Sequence, residues 1–158
     1  MKHITIRKGR REDMPQVHRL IRELAIYEKA ETELHTSAEQ FAEDGFGEEV
    51  LFECFVAENE AKEIVGTAFF YVGYSTWKGK KMYLDDLVVT ESYRRQKIGQ
   101  LLFDRLVRYA FKCDVQQLRW HVLDWNTPAI RMYEKLEASL EDDWITCKLN
   151  RKQLEAWK

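Results

Sequence analysis

The sequence predicts an α/β (α+β) domain built on a mixed, mostly antiparallel sheet with helices on both faces. Three observations carry that expectation. An alternating strand leads into an amphipathic helix at the N-terminus, two β-rich segments flank a polar turn as an antiparallel hairpin, and a buried central strand feeds a second amphipathic helix across a basic loop. The chain has 158 residues, 45% of them hydrophobic and 13% aromatic. That is enough for one compact core and short for two, so residues 1–158 are expected to form a single domain.

Lys2 to Arg7 alternates polar and apolar like a half-buried strand, and Val17, Leu20, Ile21, Leu24 and Ala25 recur on one face of a helix that runs from Pro15 onward. Overlapping capping boxes, Thr36 with Glu39 and Ser37 with Gln40, open a short helix that should stop near Gly45-Phe46-Gly47. Phe52 to Glu58 and Glu63 to Tyr74, rich in Phe, Val, Tyr and Thr, pair across the polar Asn59 to Lys62. Ser75 to Lys80 is a second turn and Met82 to Thr90 another strand, after which Ile98, Leu102, Leu106 and Ala110 stripe a helix running to Lys112. Gln117 to Leu123 reads as a strand, Asn126-Thr127-Pro128 as a helix start, and Trp144 to Leu149 as a final strand before a short terminal helix.

The 25 Lys and Arg nearly balance the 27 Asp and Glu, so no overall cationic field suits the chain to coating nucleic acid. No apolar run approaches a membrane span, and the alternating N-terminus lacks a signal-peptide core, which points to a cytoplasmic protein. Cys54, Cys113 and Cys147 are odd in number and widely spaced, as expected of reduced thiols. His3, His18, His35 and His121 lack metal-ligand spacing, so no metal is expected. The sequence contains no P-loop, GxGxxG fingerprint or GxSxG elbow. Charge is unevenly spread all the same. Residues 28–63 carry 12 acidic side chains against Lys29 and Lys62, while residues 78–119 carry ten basic against five acidic. The acidic stretch reads as a solvated face or as one wall of a cation-binding cleft.

Arg94-Arg95-Gln96-Lys97-Ile98-Gly99 follows a buried strand and opens a helix, whose unpaired N–H groups and positive dipole end suit a phosphate. A solvated basic turn is the other reading. Strand Tyr83 to Val89, this loop and the helix after it resemble the acetyl-coenzyme A motif of the GNAT superfamily of N-acetyltransferases. Asp124-Trp125-Asn126-Thr127-Pro128-Ala129, followed by Arg131-Met132-Tyr133, is similar to that family's asparagine and tyrosine elements. Arg22 to Glu28, Glu43 to Glu48, Tyr74 to Trp77 with Gly79-Lys80, and Tyr83-Leu84-Asp85-Asp86 look like the spermidine/spermine and thialysine N-acetyltransferase subgroup.

The resemblance implies a sheet of six to seven strands whose central pair splays, acetyl-coenzyme A as cosubstrate, and a homodimer. It also implies transfer of acetyl to a primary amine of a small cationic polyamine or diamine, by direct attack in a ternary complex. Backbone groups of Leu87, Val88 and Val89 would hold the pantetheine arm and polarise the thioester. Arg94, Arg95, Gln96, Lys97, Ile98, Gly99 and Gln100 would cradle the pyrophosphate, and Asn126, Thr127, Pro128 and Ala129 would line the coenzyme. Tyr133 would give a proton to the departing thiolate, and Asp85 would take one from the amine. Tyr27, Glu28, Trp77, Asp85 and Asp86 would contact substrate.

Strand alternation puts Asp85 and Asp86 on opposite faces, so at most one is expected to enter the amine site. Both also read as edge charges paired with Lys80 or Lys81. Subgroup members have glycine where this chain has Arg95, Lys97 and Glu137, and glutamate where it has Asp85. Transfer to lysine-like amino acids such as thialysine, or to a protein lysine, is the alternative within enzymes; a catalytically weak coenzyme A- or polyamine-binding module is the alternative outside them.

Overall fold

The structure, a computed structural model, describes residues 3–157, so Lys2 of the first expected strand lies outside it. The chain groups into two compact units, Met1–His121 and Val122–Lys158. The first holds a five-stranded sheet in the order β1-β2-β3-β4-β5, formed by β1 Ile4–Lys8, β2 Glu53–Asn59, β3 Ile64–Ser75, β4 Gly79–Val89 and β5 Gln117–Arg119. The first four are antiparallel neighbours; β5 alone is parallel, beside β4. Its crossover is the helix α3, Ile98–Lys112, while α1, Met14–Tyr27, and α2, Ala38–Phe46, lie between β1 and β2 in the chain.

Strand alternation builds a core on each face of this sheet. Cys54 and Val56 of β2, Ile64 and Phe69 of β3 and Val88 of β4 pack with Met14, Val17, Leu20 and Ile21 of α1 and Phe41 of α2. On the other face Phe55 of β2 and Phe70 of β3 stack at 5.3 Å, and both meet Tyr109 of α3. Ser37 caps α2 as expected, its hydroxyl accepting from the Gln40 N–H, and the helix ends at Gly47. Among the described residues no helix is long and apolar enough to cross a membrane.

The structure departs from the sequence expectation at the sheet margins. Five strands form where six to seven were expected, and the segment Gln117 to Leu123 keeps only three residues of strand. Trp144 to Leu149 forms no strand among the described residues, and Trp144, Ile145 and Leu149 are exposed. A β-prone segment with no ladder partner cannot satisfy its backbone as a strand, whatever its alternation. At the other margin β4 starts earlier than Met82, because Gly79 adopts φ 88° and pairs with Ser75, leaving a turn of only Thr76 to Lys78.

In the second unit α4 is Thr127–Lys135 and α5 is Arg151–Glu155. The Asn126 side chain caps α4 by accepting from the Ala129 N–H at 3.4 Å, with Pro128 in the first turn. The helix ends in paired reverse-turn bonds, Glu137 N–H to the Glu134 carbonyl and Ala138 N–H to that of Tyr133, which put Glu137 at φ 59°. A glycine position is thus held by glutamate. Glu137→Gly is expected to raise the unfolding free energy by about 0.5 to 1 kcal/mol, the relief of a left-handed side chain less the added chain entropy of glycine. Urea unfolding measures it, and an unchanged or lower midpoint would show that no strain is stored there.

Candidate active site

The β3–β4 ladder pairs Phe70 with Leu84 and Phe69 with Asp86, so Asp85 is an extra residue on β4, a β-bulge. Counting in twos on either side of it, Asp85 shares the face of Tyr83, which is paired with Tyr71, and Asp86 shares the face of Val88, which packs with α1. The bulge makes these one face. Leu84 and Leu87, opposite Phe70 and Ala68, take the other. The expectation that the two carboxylates point to opposite sides is therefore corrected: both stand on the α1 face, where Glu28 ends α1.

Asp86 is pushed up to about 7, first by desolvation and then by the charges of Asp85 and Glu28. Desolvation also raises Asp85 and Glu28. Burial and then the charge of Asp85 raise the phenols of Tyr71 and Tyr83, whose rings stack at 5.3 Å. Among the described residues neither aspartate forms an ion pair, and Lys80 instead donates to the Cys113 carbonyl at 2.8 Å. Other carboxylates of the acidic stretch are engaged elsewhere: Glu31 with Arg22, Glu43 with Arg11, Glu53 with Lys8, Glu58 with Arg7 and Lys62. Glu28 and Asp85, both raised by burial, and Asp86, raised by burial and by the other two charges, are acids that a cation would relieve.

On its second edge β4 pairs with β5 only from Lys81 to Tyr83. There β5 ends, at Arg119, so Leu87 to Val89 have no strand partner on that side among the described residues, an open edge of the kind that can take an extended ligand. Past Val89 the chain turns through Arg95 at φ 59° and Lys97 at φ 63°, the two loop positions where glycine was expected. Lys97 is the N-cap of α3 and supplies no side-chain cap. A left-handed residue followed by the helical Ile98 turns successive N–H groups inward, which is an anion-binding arrangement. Arg95 and Lys97 are exposed and form no ion pair among the described residues.

Arg94 is placed differently from its neighbours. Its Nε donates to the Val89 carbonyl at 3.1 Å and its guanidinium lies 5.0 Å from the centroid of the Tyr27 ring, tying the end of β4 to the end of α1. Trp77 sits at the β3–β4 turn, 84% exposed. From Gly79 to Asp85 the strand runs six residues, roughly 20 Å at about 3.3 Å each, so Trp77 is not brought to the acidic trio. In the second unit Asn126, Thr127, Pro128 and Ala129 form the start of α4, and Tyr133 is buried on it, its phenol pushed up to about 12 by desolvation. Such a phenol holds its proton at neutral pH. Cys54, also pushed up to about 12 by burial, is no nucleophile there. No group of three His, Cys, Asp or Glu among the described residues is arranged to hold a metal ion. Sequence reading gave no role to Tyr71, Tyr83 or His121, which share the face of Asp85 or adjoin it; Tyr83 stood only inside segments such as Tyr83-Leu84-Asp85-Asp86, and the strand register alone brings the three together.

The chain matches the acetyltransferase (GNAT) family model over residues 15–137. It is 39% identical over 145 residues to thialysine N-epsilon-acetyltransferase of Bos taurus, covering 87% of this chain and 85% of that one. It is 33% identical over 169 residues to spermidine/spermine N(1)-acetyltransferase-like protein 1 of Homo sapiens, spanning 100% of this chain and 24% of that protein. Among solved structures, an aminoglycoside N-acetyltransferase in complex with CoA superposes with a TM-score of 0.74 at 15% identity, over 96% of this chain and 97% of the other, a likeness of fold.

The raised Asp86 carboxyl has a consequence for stability. Between its ordinary value and about 7 the folded state keeps a proton that the unfolded state has released, so its contribution weakens as pH rises through that window. Asp86→Asn does not titrate. Relative to the native chain it is expected to gain roughly 2 to 3 kcal/mol between pH 5 and pH 8. Urea unfolding of both chains at the two pH values checks this; a difference independent of pH would mean that Asp86 titrates as an ordinary carboxylate.

Proposed function

The chain belongs to the acetyltransferase (GNAT) family, and on that premise we propose that it transfers acetyl from acetyl-coenzyme A to a primary amine of a small cationic substrate, a diamine or polyamine. Transfer is by direct attack in a ternary complex. The observation that carries the reading is the trio Glu28, Asp85 and Asp86 on one face, without a protein cation among the described residues and with Asp86 near 7.

An alkylammonium with a pKa of about 10.4 must lose a proton before it can attack. A carboxylate near 7 accepts that proton about a thousandfold more readily than an ordinary one near 3.9. Asp86 is therefore the general base in this reading, and Asp85, to which the sequence alone assigned that role, raises Asp86 and with Glu28 attracts the ammonium. Backbone N–H groups along Leu87 to Val89 stabilise the charge that develops on the thioester oxygen. Tyr133 returns a proton to the departing thiolate. The Arg95 to Gln100 loop, with left-handed turns and an uncapped helix start, fits the coenzyme's phosphates. The same reading makes the chain a single acetyltransferase domain in a cytoplasmic homodimer, for which light scattering would give twice the 18.9 kDa chain mass.

The thialysine relative favours a second reading, transfer to the side-chain amine of a lysine-like amino acid. Charge separates the two, because an amino acid brings a carboxylate that Glu28, Asp85 and Asp86 repel and a polyamine does not. Free-thiol release from acetyl-coenzyme A is to be measured with putrescine, spermidine, spermine, lysine and thialysine. Release with a polyamine is expected, with kcat rising with pH to a plateau above about 7. Asp86→Asn is expected to abolish that limb and lower kcat about 10²- to 10³-fold, and Tyr133→Phe to lower it about tenfold or more. A preference for thialysine over every polyamine would select the second reading, and absence of release with all five amines would reject both.

A further inference from the structure

Beside Asp85 lies an assembly that the transfer chemistry leaves unassigned. Tyr83, two residues before Asp85 and on its face, stacks on its cross-strand partner Tyr71. The Tyr83 hydroxyl is hydrogen-bonded to Nδ1 of His121, just beyond β5, and the two rings lie 5.7 Å apart. Tyr71 is 38% exposed and Tyr83 half-buried. Two phenol rings thus form a wall that solvent reaches from one side, with a carboxylate next along the strand and a histidine gripping one hydroxyl.

We propose that His121 is a positioning residue for the amine substrate: by holding the Tyr83 hydroxyl it fixes the Tyr71–Tyr83 wall beside Asp85, where an alkylammonium chain lies against the rings. The proposal rests on reading this face as the amine site. Aromatic faces attract ammonium groups through the ring quadrupole, and methylene chains pack on them. Ring and carboxylate together fit a cation with an apolar stem. Burial and the charge of Asp85 keep the Tyr83 phenol protonated, with Arg119 of β5 opposing weakly, and a neutral phenol pairs with Nδ1 of either imidazole tautomer, donating to one and accepting from the other. What the position needs is a hydrogen-bonding partner for that hydroxyl. Without one, Tyr83 has no anchor at its polar end, and ordering the ring falls to the substrate as a loss of affinity.

The test compares His121→Leu, His121→Asn and Tyr83→Phe in the full chain. Initial rates are varied in amine and in acetyl-coenzyme A, and binding of putrescine and spermidine is titrated calorimetrically with and without coenzyme A. His121→Leu is expected to raise the amine KM and Kd about tenfold, with kcat and the acetyl-coenzyme A KM within about twofold. Tyr83→Phe, which keeps the ring, should match it, and the double variant should lose no more than either single one. His121→Asn, whose amide can accept from or donate to the Tyr83 hydroxyl, should stay within about threefold of the native chain.

Unchanged amine KM and Kd in His121→Leu and Tyr83→Phe, equal losses toward acetyl-coenzyme A, or failure of His121→Asn to rescue would overturn the proposal. Should the native chain bind amines without transferring acetyl, the proposed function fails while the Kd comparison still decides the role of His121. A native chain that binds neither amine overturns the proposal outright.

Discussion

At Asp85 the β3–β4 ladder takes one residue on β4 that has no opposite number on β3. Side chains alternate with period two, so one extra residue exchanges the faces of everything beyond it. A regular strand continued from Tyr83 and Leu84 would send Asp86 and Val88 to the α3 face, among Phe70, Leu102 and Leu106, and turn Leu87 toward α1. An unpaired carboxylate in that core would cost several kcal/mol. With the bulge, Val88 joins the α1 core, Leu87 faces away, and Asp86 stands on the same face as Asp85, within reach of the charge of Glu28. Bulges also sharpen local twist, and β5 pairs with β4 no further than Tyr83, two residues before this one. The acidic face and the end of the β4–β5 ladder thus fall within two residues of each other on β4.

The two cosubstrates proposed for this site have opposite charge, and the chain keeps their territories apart by topology. Cations gather on the loop that leaves β4 toward α3, whereas the carboxylates lie within β4 and at the end of α1. Arg94 is the one loop cation turned toward the acidic side, and it is held there by the Val89 carbonyl and the Tyr27 ring. It adds no direct ion pair to Glu28, Asp85 or Asp86 among the described residues, so their mutual repulsion stays available to an incoming ammonium. Fields of this kind act mainly on encounter and selection.

Local chemistry was legible in the sequence, and pairing was not. The helix from Ile98 to Lys112 has the predicted bounds because an apolar stripe and a basic loop define it without outside help. Ser37 and Asn126 cap the helices they were expected to open. Trp144 to Leu149 alternates as well as any strand in the chain, but a strand exists only where an edge accepts it. The bulge was equally hidden, for Leu84-Asp85-Asp86-Leu87 looks the same in either register. With the register unknown, alternation divides Asp85 and Asp86 between two faces, and the shift of Asp86 is not legible because it depends first on burial, then on Asp85 sharing its face, and last on Glu28 at the end of a distant helix. Tyr83 and His121 belong to the same class: they meet because β5 lies parallel to β4.

Arg95, Lys97 and Glu137 show what the glycine pattern leaves undetermined. All three adopt the left-handed conformation that glycine would take, so the chain keeps the backbone of the pattern without its usual residue. Each costs about 1 kcal/mol, a sensible fraction of the roughly 5 to 15 kcal/mol by which a domain is stable. At Glu137 nothing in the structure offsets that cost, and a negative charge just past a helix C-terminus is itself unfavourable. At Arg95 and Lys97 the case is different. Two cations crowd the positive end of α3, an arrangement that repels itself until a negative group arrives. Glycines would leave the same N–H groups open with less strain and less repulsion, but also with less to gain from an anion. If this loop takes the coenzyme's phosphates as proposed, the two side chains would move interaction energy from the free loop into the phosphate-bound one, favouring binding by raising the starting state as well as by adding contacts.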